Sequence, residues 1–156
     1  MCRLAIQDLL EEVVGGHAPR TAVVSKDPET SGVGEMLRSL GVQVLPFEDT
    51  ATVARADLGI TGAAAAIAAT GSLVLCSDRA GGRSASLLPP LYVALVRSSN
   101  VLPDATALFG RMAELFPDGP PSQIVLSTGP SRSGDIEFTL TVGVHGPGRV
   151  WVGIID

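Results

Sequence analysis

Lysine is almost missing from this 156-residue chain: Lys26 stands alone beside ten arginines scattered singly, and the formal net charge is −5. Nucleic-acid binding draws on counterion release by clustered cations, so nucleic acid is not an expected partner. The same scarcity removes the Gly-Lys-Ser/Thr phosphate loop, and no Gly-x-Gly-x-x-Gly occurs, which disfavours nucleotide hydrolysis. Cysteine is limited to Cys2 and Cys76 with no Cys-x-x-Cys spacing. The chain therefore cannot hold an iron–sulfur cluster by itself, makes a poor disulfide framework, and is expected in a reducing cytoplasm. With His17 and His145 its only histidines, and no three ligands at recognisable spacing, no metal site is expected. Aromatic residues are equally sparse: the single tryptophan, Trp151, alternates with Val150 and Val152 and reads as core or interface. Cys76, in an apolar run without a neighbouring cation, reads as an inert core thiol.

The start, Met1-Cys2-Arg3-Leu4 running into Asp8, Glu11 and Glu12, lacks the apolar core of a signal peptide, so no export is expected. Leu58 to Ser77 carries no charge over twenty residues, yet its glycines, alanines and hydroxyls suit a buried sheet better than a bilayer, and no membrane span is expected.

What is present is an apolar share of 46%, enough for a packed core that buries roughly 70% of the unfolded surface. Residues 1–156 are expected to form a single α/β domain, with a short N-terminal helix and loop over 1–19 and the core over 20–156. The apolar spacing predicts a helix over 3–14, ended by Gly15-Gly16, with His17 in the following loop. A strand over 21–24, a helix over 29–40, Gly41 and a strand over 42–45 make a βαβ unit and hence a parallel sheet. The run from Leu58 is expected to form two extended segments that turn at Thr70-Gly71-Ser72 and continue through 73–76. Strands over 91–96, 124–127 and 150–155, and a helix over 104–116, bring the total to six or seven strands.

The chemistry concentrates late in the chain. Ser127-Thr128-Gly129-Pro130-Ser131-Arg132-Ser133-Gly134-Asp135-Ile136-Glu137 is followed by Gly143-Val144-His145-Gly146-Pro147. Backbone amides and a guanidinium fork in this segment can hold a carboxylate or phosphate, which makes Gly129, Ser131, Arg132 and Ser133 candidate anion ligands. The alternative for Arg132 is an internal ion pair with Asp135, on the same face if the segment is helical. Asp135, Glu137 and His145 are the candidate acid–base groups; loop capping and a backbone hydrogen bond are their alternatives. Thr70-Gly71 and Gly82-Arg83 are two further places where backbone can approach an anion, and Arg83 adds a cation.

Together these blocks, from Leu58-Gly59-Ile60-Thr61-Gly62 through Ala69-Thr70-Gly71-Ser72, Arg83, Gly-Pro-Ser-Arg, Asp-Ile-Glu and Gly-Val-His-Gly-Pro, resemble the lactate-utilisation (LUD) domain family over residues 20–156. The resemblance implies a Rossmann-like α/β fold, a mostly parallel sheet flanked by helices, similar to the sugar-phosphate isomerase and CoA-transferase superfamily. It also implies a role in oxidising L-lactate to pyruvate beside partner subunits that carry the iron–sulfur centres. This chain would bind no cofactor itself and would take a small carboxylate through Arg132 and its neighbours; a homo-oligomer is compatible with that arrangement. The family often has a glutamate before Thr-Gly where this sequence has Ala69, which weakens any glutamate-based step. Two further readings remain: an assembly or regulatory module for the iron–sulfur subunits, and an isomerase or acyl-transfer enzyme on sugar phosphates or CoA esters.

Overall fold

The computed structural model describes residues 3–77, 84–130, 132–134, 140–142 and 146–156. The first half runs α1 (Arg3–His17), β1 (Thr21–Val24), α2 (Val33–Ser39), β2 (Gln43–Val44), α3 (Thr50–Ala54), β3 (Leu58–Gly62), β4 (Ala65–Ile67) and β5 (Ser72–Cys76). The second half runs α4 (Ser84–Leu87), β6 (Leu91–Arg97), β7 (Val101–Leu102), α5 (Ala105–Gly110), α6 (Met112–Leu115), β8 (Ile124–Thr128), β9 (Arg132–Gly134), β10 (Leu140–Val142) and β11 (Arg149–Ile155).

The central sheet is parallel throughout, in the order β11-β6-β3-β1-β2. Alternation along its strands sends side chains to two different cores. Ala22, Leu58, Ile60, Val93 and Leu95 face α1 and α2, where Ile6, Leu10, Val13, Val33 and Leu37 cover them. On the other face, Tyr92, Ala94 and Val96 meet Leu73 and Leu75 of a second sheet, while Val23 meets Val53 and Ala85 from α3 and α4. A Cβ on Gly59 would stand 2.0 Å from the carbonyl oxygen of Ala85, so α4 rests directly on the β3 backbone and only glycine fits.

The second sheet was not foreseen as a separate layer. Its order is β7-β4-β5-β8, with β4-β5 and β5-β8 antiparallel, and its outer face packs on α5 and α6 through Ile67, Val74, Leu108 and Leu115. The expected turn at Thr70-Gly71 joins β4 to β5, with Gly71 at φ 66°. The uncharged run over 58–77 is thereby spent on three buried strands. Among the described residues no helix is long and apolar enough to cross a membrane.

Three expectations are corrected. The first helix does not stop at Gly15-Gly16: Ala18 N–H still donates to Val14 O at 2.8 Å, and the turn comes at Ala18, φ 47°. Burial of Ile6, Leu10 and Val13 against the sheet outweighs the roughly 1 kcal/mol that each glycine costs in a helix, so His17 is helical. The helix expected over 29–40 begins only at Val33, because Pro28–Thr30 forms a 3-10 turn and Gly32 sits at φ 80°. The helix expected over 104–116 is capped by Asp104, which accepts from Ala107 N–H at 2.9 Å, but it breaks at Arg111. There the guanidinium turns to Ser99 O and to Glu114, each at 2.8 Å.

Candidate functional site

Chain order within the parallel sheet fixes where its strands part. The connection from β1 to β2 runs through α2 on one face; the connection from β2 to β3 runs through α3 on the other and returns past β1. The carboxyl ends of β1 and β3 therefore open a switch point, the usual place for a ligand in an open parallel sheet. A set of buried polar side chains gathers there: Ser25, Asp27, Glu29 and Thr30 from the loop after β1, and Thr61 from β3.

Asp27 joins the two strands. Its Oδ2 accepts from Gly62 N–H at 2.9 Å and from the Ser25 hydroxyl. Thr30 Oγ1 lies 2.7 Å from Ser25 O and 2.8 Å from Asp27 O, closing the loop on itself. Glu29 turns inward as well, and its Oε1 accepts from Arg97 Nε at 3.2 Å, where β6 ends. A Cβ on Gly62 would stand 2.8 Å from Asp27 Cβ and 2.8 Å from Glu29 Oε2, so the missing side chain is what lets both acidic residues converge on one backbone position. Behind them the Thr61 and Tyr92 hydroxyls share a hydrogen bond of 2.7 Å. Burial pushes the Tyr92 phenol up to about 12; the Thr61 bond works against that shift and the charge of Asp27 adds to it. The phenol stays protonated at neutral pH and can only exchange hydrogen bonds.

None of these groups was singled out from the sequence. Ser25-Lys26-Asp27-Pro28-Glu29 reads locally as a helix start, with proline and acids in the first turn. The available signal was indirect: the predicted strand–helix–strand unit ends β1 at residue 24, so the next few residues had to stand at the sheet's carboxyl edge.

The residues that were singled out are brought together in part. Pairing of β5 with β8 sets Ser72 opposite Thr128, and a hydroxyl chain follows: Thr70 Oγ1 to Ser72 Oγ at 2.7 Å, then Ser72 Oγ to Thr128 Oγ1 at 2.7 Å. Thr70-Gly71 thus lies beside the root of the Gly-Pro-Ser-Arg segment, where Gly129 turns the chain at φ 74°. Arg132 and Ser133 belong to β9, which pairs antiparallel with β10, Arg132 opposite Val142 and Ser133 opposite Thr141. At 132–134 the segment is extended, so the helical spacing on which an Arg132–Asp135 ion pair depended does not hold at its start. Ser131, Asp135, Glu137, His145 and Arg83 lie outside the described residues. Ala69 is exposed in the turn between β4 and β5. Among the described residues no group of three or more His, Cys, Asp or Glu side chains could hold a metal ion.

Comparisons with known proteins bear on the family and the fold. A family model described as the LUD domain matches residues 6–155. Lactate utilization protein C of Anoxybacillus flavithermus is 35% identical over 148 residues, which cover 91% of this chain and 66% of that protein. The protein of the same name from Bacillus subtilis is 35% identical over 158 residues, covering 91% and 65%. That from Macrococcus caseolyticus is 40% identical over 111 residues, covering 70% and 48%. The chain therefore spans between about half and two thirds of the length of these curated relatives. Among solved structures, a DUF162 family protein from Deinococcus radiodurans aligns over 100% of this chain and 99% of its own, at a TM-score of 0.51 and 22% identity. At that identity the likeness concerns the fold.

Proposed function

Because the chain belongs to the LUD domain family, we propose that it serves L-lactate utilisation as a subunit that works beside iron–sulfur proteins and binds a small carboxylate at the Gly129–Arg132 segment. The name shared by its relatives, lactate utilization protein C, carries the first half of this reading. The hydroxyl chain Thr70–Ser72–Thr128 supports the second, since it sets three linked hydroxyls, one of them with a proton left to donate, beside the turn at Gly129. A donor of this kind, arranged beforehand, suits an oxyanion. Electron transfer would fall to the partners, and His145, Asp135 and Glu137 would serve as proton donors or acceptors for the bound acid.

Thermal unfolding in the presence of L-lactate and pyruvate tests the binding. A ligand at about a hundred times its dissociation constant stabilises the native state by roughly 2.7 kcal/mol. The unaltered chain is expected to show a saturable shift that Arg132→Ala abolishes. Equal shifts in both, or none in either, overturn the carboxylate site and leave the assembly role. Co-purification with iron–sulfur proteins would then be the remaining support.

A second reading gives the chain a reaction of its own on a sugar phosphate or CoA ester. Convergence of Asp27 and Glu29 on Gly62 at the switch point favours it, because it puts two buried acidic side chains at the edge where open parallel sheets bind their ligands. Turnover of such substrates that Glu29→Gln removes without unfolding the chain would establish this reading; no turnover with any of them would end it.

A further inference from the structure

The opposite edge of the parallel sheet carries a cleft of about 620 Å³, between the end of α1 and the starts of β1, β3, β6 and β11. That volume suits a small organic molecule. Its floor includes Pro19, Pro90 and Leu91, and its polar groups are Arg20, Arg149, His17 and Asp57. Both arginines are exposed, and among the described residues neither guanidinium has a carboxylate within 4.0 Å.

Asp57 is already committed. Its Oδ2 accepts from Arg20 N–H, Thr21 N–H and Thr21 Oγ1, each at 2.9 Å, so it serves the backbone of β1. Arg149 Nη1 lies 3.2 Å from His17 Nε2. The His17 ring in turn stands edge-on to Trp151, with centroids 5.0 Å apart and planes at 60°. A neutral ring accepting from Arg149 steadies the guanidinium at the rim without cancelling its charge. The charge balance follows: two cationic side chains stand against Asp57 and the carbonyl end of α1, whose dipole is worth about half a negative charge. The cleft stays positive on a chain whose net charge is −5.

We propose that this cleft is a second binding site, distinct from the Gly129–Arg132 segment, for a small molecule bearing oxyanion groups: Arg20 and Arg149 hold the carboxylate or phosphate oxygens, and the carbon part lies on Pro19, Pro90 and Leu91. Guanidinium groups bind such oxygens by charge-assisted hydrogen bonds, and their planar fork suits a carboxylate or phosphate.

Trp151 is the only tryptophan and its ring stands against His17 of the cleft, so its fluorescence senses changes at that residue. The full chain is titrated with succinate and with pyrophosphate, two arms that separate a carboxylate site from a phosphate site. The expected result is a saturable fluorescence change with at least one of them. Arg20→Ala or Arg149→Ala should each weaken it by about tenfold or more, the loss of one charge-assisted contact. Arg149→Lys should recover part of the loss, and Arg132→Ala should leave the titration unchanged. Circular dichroism melting confirms that each variant is folded. No saturable change with either anion up to the millimolar range overturns the site, as does binding that the two cleft variants leave intact or that Arg132→Ala removes.

Discussion

Asp27 and Asp57 make the same kind of clasp at opposite ends of the same two strands. Asp27 follows β1 and reaches across to Gly62 N–H at the end of β3. Asp57 precedes β3 and reaches back to the N–H groups of Arg20 and Thr21 at the start of β1. The surroundings differ. Asp27 is 6% exposed and shares the space over Gly62 with a second buried acid, Glu29. Asp57 is half-buried in an open cleft, and three donors to one oxygen satisfy it. One clasp keeps a crowded acidic pair out of water; the other only fastens the strands.

The sharpest way to break the comparison is to remove each carboxylate. Asp27→Ala leaves the buried Gly62 N–H and Ser25 hydroxyl without their acceptor, and each orphaned buried donor costs about 1–3 kcal/mol. A total loss of about 3 kcal/mol is expected in urea denaturation. Asp57→Ala strips the same number of strands of the same kind of bond, but its donors stand at a wet strand start and can turn to water. About 1 kcal/mol is expected there. Equal losses would mean that burial does not separate the two clasps.

Gly62→Ala tests the crowding itself. Its new methyl would stand 2.8 Å from Asp27 Cβ and from Glu29 Oε2, so both acidic side chains must move. Overpacking of this kind costs about 2 kcal/mol. Gly15→Ala, with open space around it in α1, should by contrast stabilise by a fraction of 1 kcal/mol. If Gly62→Ala were as harmless, the convergence of the two acids would not depend on the missing side chain.

The difference between the two ends shows what could be read from the chain and what could not. Strand β1 falls where its apolar residues place it, over 21–24, and the turn at Thr70-Gly71 falls where its glycine places it. These are local signals: period, propensity and punctuation. Asp27 and Glu29 carry the local signature of a helix start, and only the non-local approach of Gly62, 35 residues on in the case of the Asp27 bond, turns them inward. The hydroxyl chain is equally non-local, since Ser72 meets Thr128 across 56 residues. Helix α1 ran past its glycines because the sheet beneath it holds them, a tertiary effect that propensity cannot supply. The motif read as a site remains recognisable by its residues, while the switch point became visible only with the strand order.

Tyr92 sharpens the comparison at the dry end. It is the only tyrosine, so alkaline absorbance titration reads it alone. Its phenol is raised from 10.0 to about 12, which means that the native state favours the protonated form. Its contribution to stability is complete below pH 10.0 and is lost as the pH rises toward about 12. The expected record is a phenolate signal that stays low until the chain unfolds or the pH nears that value. Tyr92→Phe removes the bond to Thr61 at a cost of about 1 kcal/mol and flattens the alkaline limb of the stability curve. A midpoint near 10 in the folded chain would show the carboxyl end to be wet.

Asp57 gives the matching titration at the open end, and the smallest effect. Burial alone would push its carboxyl up. The Thr21 backbone and hydroxyl donors, the Arg20 N–H and the Arg20 charge outweigh that and hold it below its ordinary 3.8. A lowered native value means that the folded state favours the ionised form, so the stabilisation is present above pH 3.8 and is lost as the pH falls through the native value. Asp57→Asn should therefore cost up to about 1 kcal/mol at neutral pH, a modest amount because solvent screens the cleft, and the cost should shrink toward zero in strong acid. Urea denaturation of both proteins along the acid limb measures it. Parallel curves for the two, with no convergence below pH 3.8, would show that the carboxylate charge plays no part in fastening β1 to β3 and that the clasp at this end is made by Thr21 alone.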